Sequence, residues 1–323
     1  MPLPPPPLGP DGQCPGPAPD PALDDDRLVA ARAALTQGRR QPVRALLART
    51  GDDWDRRAHR VAVLAREPYA AAWADDWLLA EPDCPDAAVL LALARVRRAL
   101  RGKEDPAPAR AACRTAAELA PADPTPWLGL LQLERTGGPR AVRIFEEIRA
   151  RHRDHHHAHH LMVARLAERR ADRGPDPLHE VYEFAAWAAE QAPADSPLAI
   201  LPVVAHAERY RVLAAHGFVP ADPAACGHWR DGRSPDVLKA AFDWWLEWEH
   251  DDHPRHLVDL NFLAHATVCG GRGAEAAALF RRIGRHVTRQ PWSYPDRDPG
   301  EAFRAARAAA LRTGPCVPWP RAG

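Results

Sequence analysis

Residues 54–82 read "WDRRAHRVAVLAREPYAAAWADDWLLAEP". Trp54, Ala58 and Val61 open the stretch, Ala70, Ala74 and Trp77 continue it, and Pro82 closes it. Apolar residues recurring at three and four across two such runs predict a pair of helices joined by a turn. A lone pair cannot cover its own apolar face, so a second copy elsewhere in the chain would change the architecture.

Copies are present. Leu93, Val96 and Leu100 lead to Ala109, Cys113, Ala116 and Pro121 at the same spacing, and Leu260, Leu263 and Ala264 lead to Ala276, Phe280 and Ile283. A fourth, "PTPWLGLLQLERTGGPRAVRIFEEI", carries Trp127, Leu130 and Leu131, then Ala141, Phe145 and Ile148, with its turn two residues short. The period is about 34 residues.

Six of the 35 prolines support this reading. Asp105-Pro106, Asp123-Pro124, Asp176-Pro177, Ser196-Pro197, Ser234-Pro235 and Asp298-Pro299 each put a capping side chain before a proline, which predicts helix starts. Glu301 adds a capping-box partner to Asp298. Gly38, Gly102, Gly137-Gly138, Gly174, Gly217 and Gly270-Gly271 mark the stops. No segment alternates as a strand does.

These intervals resemble the tetratricopeptide repeat (TPR) family, and more loosely uncharacterised helical-repeat proteins of high-GC bacteria. The likeness covers about two-thirds of the chain. It implies an all-α fold, a right-handed α-α superhelix in which antiparallel helix hairpins stack through their alanines into a TPR-like solenoid over residues 23–313. Residues 154–250 depart from the pattern: Ala185, Ala188 and Pro193 close one hairpin, loops lengthen, and Pro202 is expected to kink the following helix. Residues 1–22 are expected to be a disordered proline-rich tail, and 314–323 an extended strap pinned by Trp319.

Composition narrows the classes. Of 323 residues, 46% are hydrophobic and 27% charged, a balance for a water-soluble globule. No run approaches the ~18 apolar residues of a membrane span, and no secretory signal opens the chain, so a cytoplasmic location and no membrane partner are expected. Forty-three basic residues balance 43 acids, so no nucleic-acid partner is expected despite a basic band from Arg135 to Arg173. Cys14, Cys84, Cys113, Cys226, Cys269 and Cys316 form no CxxC pair. Cys226 and His228 in "CGHW" are half of a zinc pattern whose second half is missing. No cofactor is expected.

Two kinds of site follow. In the repeat frame Asp52, Asp55 and His59, then Arg98 and Arg101, then Gln132 and Arg135, then His156 and His159, and finally Asn261 and His265 should line a polar groove with a basic middle. Arginines a turn apart suit an acidic or C-terminal segment of a protein or peptide. With no nucleophile elbow, phosphate loop or metalloprotease helix, and with "GGRG" at 270–273 reading as a helix turn, a non-catalytic binding scaffold is expected.

The alternative lies in "RHRDHHHAHHLM", residues 151–162. With Asp154 as N-cap and Ala158, Leu161 and Met162 inward, His155 and His159 share one edge, His156 and His160 another, and His157 points outward. Histidines four apart can hold zinc or nickel. His152, His155, His156, His159 and His160 are therefore candidate ligands for a metal-binding protein or metal-dependent enzyme, although this edge has no carboxylate of its own and one would have to come from another hairpin. Glu247, Glu249, Asp251 and Asp252 with His250, His253 and His256 form a second, weaker set. Nearby, Trp244 and Trp248 share one face and Phe242 and Trp245 another, more as kink-filling core than as a ligand cage.

Overall fold

A computed structural model describes residues 19–193, 195–223, 225–246 and 252–313. Among them are fifteen α-helices and no strand. The first four are α1 (Asp26–Thr36), α2 (Gln41–Thr50), α3 (Trp54–Leu64) and α4 (Ala70–Ala80). They are followed by α5 (Pro85–Leu100), α6 (Pro106–Leu119), α7 (Thr125–Gln132) and α8 (Pro139–Arg151). The irregular middle holds α9 (His156–Ala167), α10 (Glu180–Gln191), α11 (Leu201–Ala215) and α12 (Ser234–Ala240), the last running into a π-turn over Ala241–Trp245. The chain ends in α13 (His256–Cys269), α14 (Gly273–Ile283) and α15 (Pro299–Thr313).

Several starts obey the Asp-Pro and Ser-Pro rule. The carboxylates of Asp105 and Asp298 accept the amides of Ala107 and Glu301 at 2.7 and 2.8 Å, and Asp123 accepts that of Thr125 at 2.8 Å. Ser196 caps a short 3-10 turn. Three starts differ. Asp176 caps only a turn, and His179 caps α10. Ser234 turns its hydroxyl to His206 Nδ1, 3.1 Å away, in place of capping α12. His155, not Asp154, caps α9 through its ring nitrogen, which accepts the Ala158 amide at 3.3 Å.

Pro202 does not kink a helix. It falls in the first turn of α11, where its missing N–H removes no helical bond. The expected N-terminal tail also ends earlier: Asp20 binds Arg32 through both oxygens, and Ala22 and Leu23 are buried. Residues 1–18 and the strap at 314–323 with Trp319 lie outside the described residues.

Each helix packs on the next within the pairs α1 and α2, α5 and α6, α7 and α8, and α13 and α14. Along the chain α3 meets α5, α5 meets α7, α7 meets α9, α9 meets α11, and α11 meets α13. Small residues set how closely these helices approach. A Cβ on Gly129 of α7 would sit 3.0 Å from Cys113 Sγ of α6 and 3.4 Å from Leu93 and Val96 side chains of α5.

Two of these first helices are covered on almost every side. In α5, Ala87 to Ala94 and Val96 are all buried, and in α13 so are Leu257, Asp259 to Thr267 and Cys269. A helix apolar around its whole circumference belongs in an interior. Polar side chains on α13 are therefore core residues that need internal partners.

Ion pairs tie the N-terminal helices together. Arg57 of α3, 8% exposed, bonds Asp123 at 2.7 Å and Asp86 at 2.5 Å. Arg60 bonds Asp25, the residue that caps α1, at 2.8 Å. No helix among the described residues is long and apolar enough to cross a membrane.

Candidate metal centre

The histidine-rich stretch turns its rings inward. His155 and His156 have no exposed surface, and His159 and His160 are buried. They meet α3 and α13, which supply the two carboxylates that the local sequence lacks: Asp55 and Asp259.

Asp55 holds the start of α9. Its Oδ1 accepts the His156 amide at 3.0 Å, and its Oδ2 lies 3.1 Å from His152 Nε2. His155 Nδ1 and His253 Nε2 stand at 3.4 and 3.6 Å. Burial by itself would raise the Asp55 carboxyl, but His155, His152 and His253 together hold it well below the usual carboxylate range. The same hydrogen bond raises the pKa of His152 against its partial burial.

Asp259 is placed differently. It is fully buried, and among the described residues its ion-pair partners are His156 Nε2 at 2.8 Å and His160 Nε2 at 3.2 Å. Burial opposes its ionisation, yet His156 and His160 keep it a carboxylate. Burial also holds His156 well below the ordinary histidine value in spite of Asp259, so the ring stays neutral, the form that binds metals. The buried Arg255 guanidinium, an electrostatic partner of both Asp259 and Asp55, supplies positive charge beside the cluster.

The donor geometry suits a metal ion. His156, His160 and Asp259 each offer a ligand atom, and these atoms lie within 4.8 Å of one another. His160 Nε2 and Asp259 Oδ1 are 3.2 Å apart, yet neither makes a hydrogen bond among the described residues. Two ligand atoms on a tetrahedral ion with bonds of about 2.0 Å stand about 3.3 Å apart. The His156 and His160 rings, 4.2 Å between centroids, lie side by side as the four-residue spacing implied. His253 completes one wall, its ring 4.6 Å from that of His156. Two histidines and a carboxylate suit zinc, or iron(II) with open positions.

Other expected ligands have other work. His159 packs its edge on Phe145, 4.9 Å away, and its Nδ1 bonds the His155 carbonyl. His155 caps α9 through Nδ1, and its buried Nε2 makes no hydrogen bond among the described residues. His228 Nε2 bonds the His206 carbonyl at 3.0 Å, so the Cys226 and His228 half-pattern gains no second half. Of the weaker acidic set, Asp252 is exposed, His253 joins the cluster above, His256 Nδ1 bonds the His253 carbonyl, and Glu247, Glu249, His250 and Asp251 lie outside the described residues. So does Trp248, while Trp245 is buried in the core.

The expected groove does not form one open lining. Asp55, His59, His156, His159, Asn261 and His265 are all buried. Asn261 is a core anchor: it donates to the Leu257 and His286 carbonyls at 2.7 and 3.0 Å and accepts from Trp292 Nε1 at 2.7 Å. His265 sits edge-on to Trp292 and 3.9 Å from Cys269 Sγ. Asp52, Arg98, Arg101 and Arg135 are exposed, with Arg98 paired to Glu104, and Gln132 is half-buried. Residues expected at equivalent positions thus differ in environment, and side chains of α3, α9 and α13 meet where Asp55 bonds the His156 amide and His156 bonds Asp259.

Asp259 is absent from the expected site. Its signal was a single acid inside the apolar run "LVDLNFLAHATV", residues 257–268, where a buried carboxylate must find a partner. His157, expected to point outward, is half-buried. The chain matches no family model, no curated protein and no solved structure.

Proposed function

We propose that this protein is a metal-binding helical-repeat protein that holds a divalent first-row transition ion on His156, His160 and Asp259. The observation that carries the proposal is the pair His160 Nε2 and Asp259 Oδ1, buried, 3.2 Å apart and without hydrogen bonds among the described residues. Neighbouring ligand atoms converging on one ion have this spacing, and the third candidate ligand, His156 Nε2, stands 2.8 Å from Asp259 Oδ2. Asp55 would hold α9 in register beneath the ion by accepting the His156 amide.

A tetratricopeptide-like right-handed solenoid is the scaffold we propose for it, supported by the successive packing of α3, α5, α7, α9, α11 and α13. A cytoplasmic location fits Cys84, Cys113, Cys226 and Cys269, which are free thiols. The scaffold reading, with an acidic protein or peptide as partner, keeps only Asp52, Arg98, Arg101 and Arg135 as exposed charges of its expected groove, and nothing in their arrangement favours it over the metal.

The test is elemental analysis of protein made without an affinity tag. The expected result is one equivalent of zinc or iron per chain, lost in His156→Ala, His160→Ala and Asp259→Asn while Asp52→Asn keeps it. Metal-free protein that also fails to take up zinc or iron(II) on titration would overturn the proposal.

A further inference from the structure

A cavity of about 710 Å³ lies against the same three segments that build the metal cluster. Asp55 and His59 are one turn apart on α3, His157 follows His156 on α9, and Arg255 lies between His253 and Asp259. Asp55, His156, His253 and Asp259 face the cluster, and His59, His157 and Arg255 line the cavity. Pro19 to Leu23 and the segment from Val287 to Pro299 form much of the rest.

Its lining is cationic. Arg66, Arg255, Arg289 and Arg297 all contribute to it, and among the described residues none of the four has a carboxylate within ion-pair distance. Of the acids in the wall, Asp20 spends both oxygens on Arg32 at 2.7 and 2.6 Å, and Asp296 is exposed at the rim. Desolvation first, then the charges of Arg97, Arg255 and Arg101, pull Arg66 down to about 10. His59 Nε2, His157 Nδ1 and Arg255 Nε are buried atoms without hydrogen-bond partners among the described residues, and all belong to lining side chains. His59 itself is only 4% exposed.

We infer that this cavity binds a small ligand through a phosphate-type oxyanion. Guanidinium groups approach such an oxyanion in a fork, two N–H donors to two oxygens; Arg255 also answers to Asp259 and Asp55, and Arg66, Arg289 and Arg297 bring three further charges to a dianion. Ser293 and Gln290 add neutral donors. The volume of about 710 Å³ lies within the range of about 300–1,000 Å³ usual for small-molecule sites, and the walls converge from four parts of the chain. This site stands on its own arginines and does not depend on the metal reading.

Calorimetric titration of the full chain with inorganic phosphate tests the site, in the wild type, in Arg66→Gln, in Arg289→Gln and in His160→Ala. Arg66 and Arg289 are exposed, so neutral replacements leave the core intact, which a thermal melt verifies. The expected result is saturable binding that weakens with salt, falls about tenfold or more in each arginine variant, and persists in His160→Ala. No saturable binding at millimolar phosphate, or binding unchanged in both arginine variants, overturns the site. Loss in His160→Ala with retention in the arginine variants also overturns it, since the anion would then sit on the metal. Binding of an acidic peptide but not phosphate would overturn the small-ligand class.

Discussion

The carboxylate of Asp55 accepts the backbone amide of His156 at 3.0 Å, joining α3 to the first turn of α9 across 101 residues. One side chain thus sets where the histidine helix begins and, through its other oxygen, orients His152. Truncating it leaves the His156 amide without an acceptor and the raised His152 without its anion. Asp55→Ala is expected to lower stability by about 3–5 kcal/mol, with Asp55→Asn losing less because its amide oxygen can still accept. Urea unfolding of both variants checks the order, and equal losses would mean that the amide contact contributes nothing.

Metal should stabilise the fold through Asp259. An ion present at a hundred times its dissociation constant adds about 2.7 kcal/mol, so zinc added to chelator-treated protein should raise the melting temperature measurably. Asp259→Asn should unfold at nearly the same temperature with and without zinc. A zinc-dependent rise that survives in Asp259→Asn would place the ion elsewhere.

Acid should unfold the protein well before its carboxylates titrate. Burial lowers His59, His206 and His265 to about 3 and His159 to about 4. Each has a folded pKa below its unfolded value near 6.5, so the unfolded chain binds more protons in the window between them. Stability is full above about pH 6.5 and falls as pH drops through the window, by about 1.4 kcal/mol per pH unit for each histidine. Melting temperatures from pH 8 down to pH 4.5 should stay level at first and then drop steeply below about pH 6. A flat profile to pH 5 would show these rings to be hydrated.

Asn261 separates a groove residue from a core anchor. Asn261→Ala would orphan Trp292 Nε1 and the His286 carbonyl, which Asn261 now satisfies. A loss of about 2–3 kcal/mol is expected, together with increased amide hydrogen exchange over residues 286–292. Unchanged stability would mean that the side chain faces solvent and serves binding instead.

Much of the helical frame was legible because it rests on short-range rules. Asp105, Asp123 and Asp298 cap where a carboxylate precedes proline. The small and large positions around Gly129, Cys113 and Leu93 follow from how closely helices can approach. The rule gave out where tertiary partners competed: Ser234 bonds His206, not its own helix, and His155 takes the cap that Asp154 was expected to make.

The pairing of His156 with His160 belongs to the sequence alone, since a helix places residues four apart side by side whatever surrounds it. What they face does not. Asp259 is 103 residues from His156, and Arg66, Arg255 and Arg289 come from three separate segments. The tertiary fold brings them together, with Asp55 of α3 bonded to His156 of α9 and His156 bonded to Asp259 of α13. Spacing along a chain sets the direction in which a side chain leaves its helix, while burial, charge and partner are properties of the space it enters.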